Sequence, residues 1–396
     1  MVRAMQNVMD SGTPERIGEI NRKLILDCVR KNGPISRADL HRTLNMSFPT
    51  ISTNVKKLLQ SGYLVEAGDG DNNLGRKSTL LQFNAERAYV VGVDVGRSQL
   101  RVILADLDGN EAIYLNEPYA ASEDDSLRIT LNQLISEAIT RAGITPEKVL
   151  YIAVGTPGIA DMKTGRLVAA PFIRMPNLKQ IEESLRAAYP NADVLFENNV
   201  NFGAVAEKWK GAARDYRDIV YISYGVGIGS AVILNGELYH GRNGASGEIG
   251  YMVPGVENMR ENNESQGVLE SMISGQHIGE LLKARGTDVF PGLSLEEALQ
   301  DDVLRRIADL TAIALINLTA VIDEEVIIVG GGLGGFLGQL FIPYWKELLG
   351  RHLPYVPEIL CSSLTGRAGA MGAVAVAIRK VNDNEINLQS ESFHAE

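Results

Sequence analysis

Cysteine is nearly missing from this chain: Cys28 and Cys361 are the only two in 396 residues. Two thiols make no disulfide framework, and a reducing compartment fits them. Long hydrophobic runs are missing too. No stretch reaches the roughly 18 apolar residues needed to cross a bilayer. The N-terminus lacks the basic segment and apolar core of a secretory leader. The expectation is a cytoplasmic protein with no membrane partner. Positive charge is short overall, with 38 Lys+Arg against 49 Asp+Glu and a net charge of -11. That balance excludes a chain that coats nucleic acid with its whole surface.

What is present is ordinary for a globular protein: 45% hydrophobic and 22% charged residues. At 396 residues the chain is too long for one hydrophobic core, so two or three domains are expected. The charge is uneven. Residues 1–83 carry 12 Lys+Arg and 8 Asp+Glu, or +4, which leaves -15 for residues 84–396. A basic head on an acidic body points to a head that meets phosphates.

Residues 1–15 are polar and read as a flexible arm. Ile20, Leu24, Ile25 and Cys28 then recur at helical spacing, and Lys31-Asn32-Gly33-Pro34 is a stop signal. Ser36 caps a short helix carrying Ala38, Leu40 and Leu44. Asn45-Met46-Ser47 forms a turn, and Pro49 opens a third helix that runs to about Gln60, with Gly62 after it. Tyr63–Glu66 and Ser78–Phe83 read as two strands around a polar loop. Three helices and a β-hairpin over residues 16–83 make a winged helix-turn-helix.

In the third helix, Ile51, Val55, Leu58 and Leu59 take the packed face. Thr50, Thr53, Asn54 and Lys57 are expected to face out. Asparagine can bond an adenine edge through two hydrogen bonds, and threonine and lysine reach bases or phosphates, which suits a major-groove surface. Arg76 and Lys77, after Gly75 at the base of the wing, are expected to clamp phosphates or enter a minor groove.

From Ala88 on, strand-like runs alternate with helical patterns, which indicates an α/β fold. The runs are Tyr89–Val95, Gln99–Asp106, Val149–Val154, Asp193–Phe196, Asp218–Ser223 and Val326–Val329. Two glycine turns recur, Asp94-Val95-Gly96 and Gly225-Val226-Gly227-Ile228-Gly229, each followed by a strand, a hairpin turn and a further strand. The echo predicts two lobes of similar design with a cleft between them. Gly366 to Lys380 is Ala/Gly-rich and helical.

These motifs, together with Gly155-Thr156-Pro157-Gly158, Glu197-Asn198-Asn199, Gly247-Glu248-Ile249-Gly250-Tyr251 and Gly330-Gly331-Gly332, resemble the ROK family of sugar kinases and repressors over residues 88–380. With the head in front, nearly the whole chain resembles a ROK transcriptional regulator of the xylose-repressor type. The resemblance implies a two-lobed actin/hexokinase-like (ribonuclease H-like) fold. It divides the chain into a flexible arm (1–15), a winged helix-turn-helix (16–83), a first lobe (84–205), a second lobe (206–365), a helix returning to the first lobe (366–380) and a tail (381–396).

By the same resemblance, Gly158, Asn198, Asn199, Glu248, Tyr251 and Glu270 contact a sugar. Each sugar hydroxyl both donates and accepts, so convergent amides and carboxylates are the right chemistry. Asp94, Gly96, Gly225, Gly227 and Gly331 are remnants of nucleotide loops, whose backbone amides can face phosphates. The family's kinases place an aspartate base where this chain has Asn199. A neutral amide cannot take up a proton, so no catalytic residue and no kinase activity are expected, and general-base help is worth about 100- to 10,000-fold in rate. The kinases usually carry threonine where Val226 stands, so Mg-ATP is not an expected cofactor. The family's zinc histidine is replaced by Tyr251. Its three cysteines have no counterpart between Val256 and Glu270, so no metal is expected.

The resulting expectation is a sugar-responsive regulator of carbohydrate-utilisation genes, a repressor by resemblance, that binds operator DNA as a homodimer or dimer of dimers. Xylose is the effector suggested by resemblance, with glucose or an amino sugar open. The rival is an ATP-dependent sugar kinase carrying a DNA-binding domain. A body that senses a partner protein is a third reading.

Overall fold

The computed structural model describes residues 14–70, 78–96, 99–119, 126–161, 164, 166–168, 177–260, 266–284, 292–364 and 366–388. Arg76 and Lys77, most of the N-terminal arm and the last residues of the tail lie outside them. The chain divides into two compact units. One runs up to Val90 and includes Asp106–Asn110 and the end of the chain from Ile378. The other comprises Val91–Ala105 and Glu111–Ala377.

The first unit holds α1 (Pro14–Asn32), β1 (Ile35–Ser36), α2 (Arg37–Leu44), α3 (Phe48–Gln60), β2 (Leu64–Gly70) and β3 (Ser78–Phe83). Each start has its local cause. The Ser36 hydroxyl accepts the Asp39 N–H at 3.2 Å, and the Ser47 hydroxyl accepts the Thr50 N–H at 3.3 Å, so both helices begin on a serine cap. Asn45 at φ 51° turns the chain between α2 and α3. β2 and β3 form the hairpin, with Leu64 opposite Phe83, and β1 adds to β3 to give the order β1-β3-β2. Ile25, Val29, Leu40, Ile51, Val55, Leu58 and Leu81 are buried at its centre.

On α1 the buried stripe is Arg22, Ile25, Cys28 and Val29, whereas Ile20 and Leu24 are each 39% exposed. The expected face is therefore rotated: positions 22, 25 and 29 follow one helical stripe, and 20 and 24 follow the next.

Apart from Tyr89, Val90 and Asp106 at strand ends, the second unit contains two five-stranded sheets. The first is built from β4 (Tyr89–Val95), β5 (Gln99–Asp106), β6 (Glu111–Pro118), β7 (Val149–Thr156) and β10 (Asp193–Asn198), in the order β10-β7-β4-β5-β6. The second comprises β11 (Ile219–Tyr224), β12 (Ile228–Leu234), β13 (Glu237–Leu238), β14 (Val326–Gly330) and β15 (Glu358–Cys361), in the order β13-β12-β11-β14-β15. In each sheet the first strand lies centrally, its two successors meander to one side, and two later strands extend the other. The echo of glycine turns is thus a repeat of topology. A small ribbon of β8 (Ile159–Asp161) and β9 (Arg166–Val168) extends from the first lobe.

Helices α4 (Ser126–Ala142), α5 (Leu178–Ala188) and α6 (Asn199–Lys210) belong with the first sheet's sequence. The second sheet is followed by α7 (Val268–Ile273), α8 (Gly275–Ala284), α9 (Leu295–Gln300), α10 (Asp302–Ile322) and α11 (Gly334–His352). Its core gathers Tyr224, Leu315, Phe341 and Trp345, and the indole N–H donates to the Ala308 carbonyl at 3.0 Å.

Two expected boundaries fall inside helices. The division after residue 205 falls inside α6, because the apolar face that begins at Phe202 continues through the buried Ala206. The tail expected from Val381 is helical to Leu388, as part of α12 (Ala368–Leu388). Val381 is buried, one turn beyond Ala377 and Ile378, and Asp383 accepts the Lys23 ammonium of α1 at 2.6 Å, both within the first unit.

Candidate functional site

A cleft of about 940 Å³ opens in the second unit. The loops that line it leave the ends of β4, β7, β10, β11 and β14, so the two sheets contribute equivalent edges. Every sugar-site residue expected from the sequence (Gly158, Asn198, Asn199, Glu248, Tyr251, Glu270) lines this cleft. So does every expected nucleotide-loop residue (Asp94, Gly96, Gly225, Gly227, Gly331).

Asp94 sits at the end of β4 and is 8% exposed. Burial pushes its pKa up, opposed by Arg101 and by the Asn199 amide. Arg101 Nη1 donates to Asp94 Oδ2 at 3.1 Å, and Asn199 Nδ2 donates to Asp94 Oδ1 at 3.3 Å. Arg101 was missed in the sequence, although the signal exists. The Gly96 N–H donates to the Gln99 carbonyl at 2.9 Å and closes the β4–β5 hairpin. Counting back from that pair sets position 94 beside position 101 across the strands.

Asn198 is the N-cap of α6. Its Oδ1 accepts the Val200 N–H at 2.7 Å, and its Nδ2 donates to the Gly158 carbonyl at 3.2 Å. Glu197 accepts the Asn198 N–H at 2.8 Å and the Asn201 amide at 2.9 Å on one oxygen. Its other oxygen lies 2.7 Å from His240 Nε2. His240 belongs to the segment after β13, so this contact joins the lobes beside the ligand set. It too was missed, because nothing local relates residue 240 to residue 197.

From the second lobe, burial pushes the pKa of Glu248 up, and the Glu270 carboxylate pushes it further. Burial raises Glu270 as well, while N–H groups of Ile228 and Gly267 pull it back. Glu270 Oε1 accepts the Ile228 N–H at 3.3 Å. Gly227 makes room for that carboxylate: a Cβ there would lie 2.1 Å from Glu270 Oε1. Gly331 has φ +85°, and a Cβ would lie 2.4 Å from the Tyr224 carbonyl oxygen. Tyr251 is 46% exposed at the mouth of the cleft.

A further missed residue, Glu207, is fully buried under one wall. It accepts the Ala212 N–H at 2.8 Å and the hydroxyl of Ser362, a cleft residue. No group of three or more His, Cys, Asp or Glu that could hold a metal occurs among the described residues. Residues 251–270 contain neither Cys nor His, so they do not fit a thiolate–imidazole zinc site.

In the first unit, Thr53 and Lys57 of α3 face solvent, and Thr50 is half-buried with its hydroxyl 2.8 Å from that of Ser47. Asn54 does not face out. It is 7% exposed and donates Nδ2 to the Thr50 carbonyl at 2.8 Å. Positions 51, 54, 55 and 58 form one helical stripe, so Asn54 shares the packed side with Ile51, Val55 and Leu58. Lys56 takes the outward place that sequence reasoning gave to Asn54.

Residues 90–380 match the ROK family. The chain belongs to the ROK family. Residues 19–65 of this ROK protein match a winged helix-turn-helix DNA-binding family. Over 395 residues it is 26% identical to the xylose repressor of Caldicellulosiruptor bescii, with 93% of this chain and 97% of that one covered. Over 247 residues it is 35% identical to the Bacillus subtilis xylose repressor, covering 62% and 63% of the two chains. A ROK family transcriptional regulator described as a homolog of E. coli MLC protein shares the fold at TM-score 0.75 and 22% identity, over 94% of this chain and 98% of that one. The two-lobed α/β body and the winged head of the ROK protein thus agree with the sequence reading. Among the described residues no helix is long and apolar enough to cross a membrane.

Proposed function

We propose that this ROK protein is a sugar-responsive DNA-binding repressor of carbohydrate-utilisation genes, acting in the cytoplasm, and that its cleft binds the sugar without phosphorylating it. The observation that carries the reading is the pairing of a winged helix-turn-helix with a ROK cleft in which Asn199 stands beside Asp94. Asn199 has no proton-accepting carboxylate to offer a hydroxyl, and Asp94 is engaged by Arg101 instead of being free for a metal ion. Relatives that align over most of the chain are named xylose repressors, which supports repression and makes xylose the first effector to try.

Glu248, Glu270, Asn198 and Asn199 supply the convergent donors and acceptors for the hydroxyls. Thr53, Lys57 and the basic wing residues Arg76 and Lys77 address DNA, in a homodimer that reads two half-sites. Neither zinc nor Mg-ATP has a part. Sugar changes operator affinity only to the extent that it binds the two functional states differently.

The test is operator binding by fluorescence anisotropy with and without xylose, glucose and N-acetylglucosamine, paired with a coupled ADP-release assay. Operator affinity that responds to one sugar, with no sugar-dependent ADP release, is the expected result. Turnover above about 1 per second, ordinary for a kinase, overturns it, as does indifference to DNA.

A further inference from the structure

The orientation of one amide carries a statement about the effector. A carboxylate only accepts hydrogen bonds, so the group that Asn199 turns toward Asp94 is its NH2, and its carbonyl oxygen is left for the cleft. Arg101 fixes the arrangement. It has only donors, and a neutral Asp94 would leave a mostly buried guanidinium without its anion.

Asn199 therefore presents an acceptor to a ligand hydroxyl. That acceptor is neutral and held in place by its neighbours. Around it the charge is mostly of one sign. Among the described residues lining the cleft, the acids are Asp94, Glu248, Glu270 and Glu280, and the cations are Arg101 and Lys283. Arg101 is already committed to Asp94, and no ion pair of Glu248 or Glu270 occurs among the described residues.

We propose that Asp94 and Arg101 are positioning residues that lock Asn199 as a hydrogen-bond acceptor, so that the cleft takes an uncharged sugar with its hydroxyls free and rejects the phosphate ester of the same sugar. The inference rests on the reading of the cleft as an effector site and names the ligand class. A free hydroxyl donates to Asn199 Oδ1. An ester in its place has no proton to donate and brings negative charge beside Asp94, Glu248 and Glu270, and Arg101, the one arginine among the described residues lining the cleft, is already paired with Asp94.

The experiment is calorimetric titration of the full chain with glucose, mannose, N-acetylglucosamine and their 6-phosphates, and with xylose, on the wild type, Asp94→Asn and Arg101→Met. In the wild type a free sugar binds, and its phosphate binds at least about tenfold more weakly. Asp94→Asn frees the guanidinium and releases the amide, so the ratio of ester to sugar affinity rises. Arg101→Met leaves the acid unpaired, so the ratio falls. Damage to the fold alone would weaken both ligands together and leave the ratio unchanged; melting curves identify it separately. Ester binding equal to or tighter than that of the free sugar overturns the inference and leaves the effector site standing. An unchanged ratio in both folded variants overturns the positioning role. Binding of no member of the panel removes the effector reading and this inference together.

Discussion

His240 Nε2 lies 2.7 Å from Glu197 Oε2, and this contact ties the segment leading to Glu248 to the strand end that carries Asn198 and Asn199. The side chains are 49% and 20% exposed, so the pair is worth at most about 1 kcal/mol of global stability. Its role is local. His240→Ala should leave the melting temperature nearly unchanged, while amide hydrogen exchange quickens at residues 197–201 and 240–248. Unchanged exchange at both segments would mean that the contact does not hold the lobes.

Glu270 gives a pH signature. Its folded pKa is raised above the ordinary 4.5, chiefly by burial. The stability it contributes is complete below that ordinary value and is lost as pH rises through the raised one. Above that raised value the ionised side chain is a burden on the ligand-free protein. Glu270→Gln should therefore melt on the order of 2 °C higher at pH 7. The gain should shrink toward pH 4.5, and the melting shift produced by sugar should be lost. Differential scanning fluorimetry across pH reads all three.

Asn199→Asp would replace a 3.3 Å amide–carboxylate bond with two carboxylates. Like charges so close raise the pKa of one of them. The variant should be less stable than the wild type at pH 7, by about 1–3 kcal/mol, and the loss should shrink as the pH falls and that acid takes up its proton. Denaturant melts at pH 5 and pH 8 check the sign.

On α3 the structure separates two kinds of residue. Lys57→Ala should weaken binding to any duplex and lower the slope of log affinity against log salt by about 1. Asn54→Ala should instead cost the head about 1 kcal/mol of stability, since a buried donor is lost. Anisotropy titrations at several salt concentrations, with thermal melts, distinguish the two. A pure change of base preference in Asn54→Ala would restore it to the DNA face.

Most of the fold was legible because its signals are local. Ser36 caps its helix within three residues of itself, and β4 and β5 run over the residues that their apolar stretches predict. The site was legible as a set, since glycine turns and a Glu-Asn-Asn run are motifs in the chain. What failed was phase and distance. Asn54 is expected outward once Ile51, Val55, Leu58 and Leu59 take the packed face, yet helical geometry gives it to the stripe of Ile51 and Val55. Val381 opens the stretch expected as a tail, yet it continues the buried face of α12.

The sequence by itself determined the two kinds of unit and the repeated sheet, because these follow from spacing along one chain, and its resemblance to the ROK family picked out residues that line one cleft. Only the tertiary structure decided which way Asn199 turns its amide, what Arg101 neutralises and that His240 meets Glu197. Hydrogen bonds and ion pairs act over about 3 Å, and partners separated by 43 or 105 residues come that close only after the chain has folded.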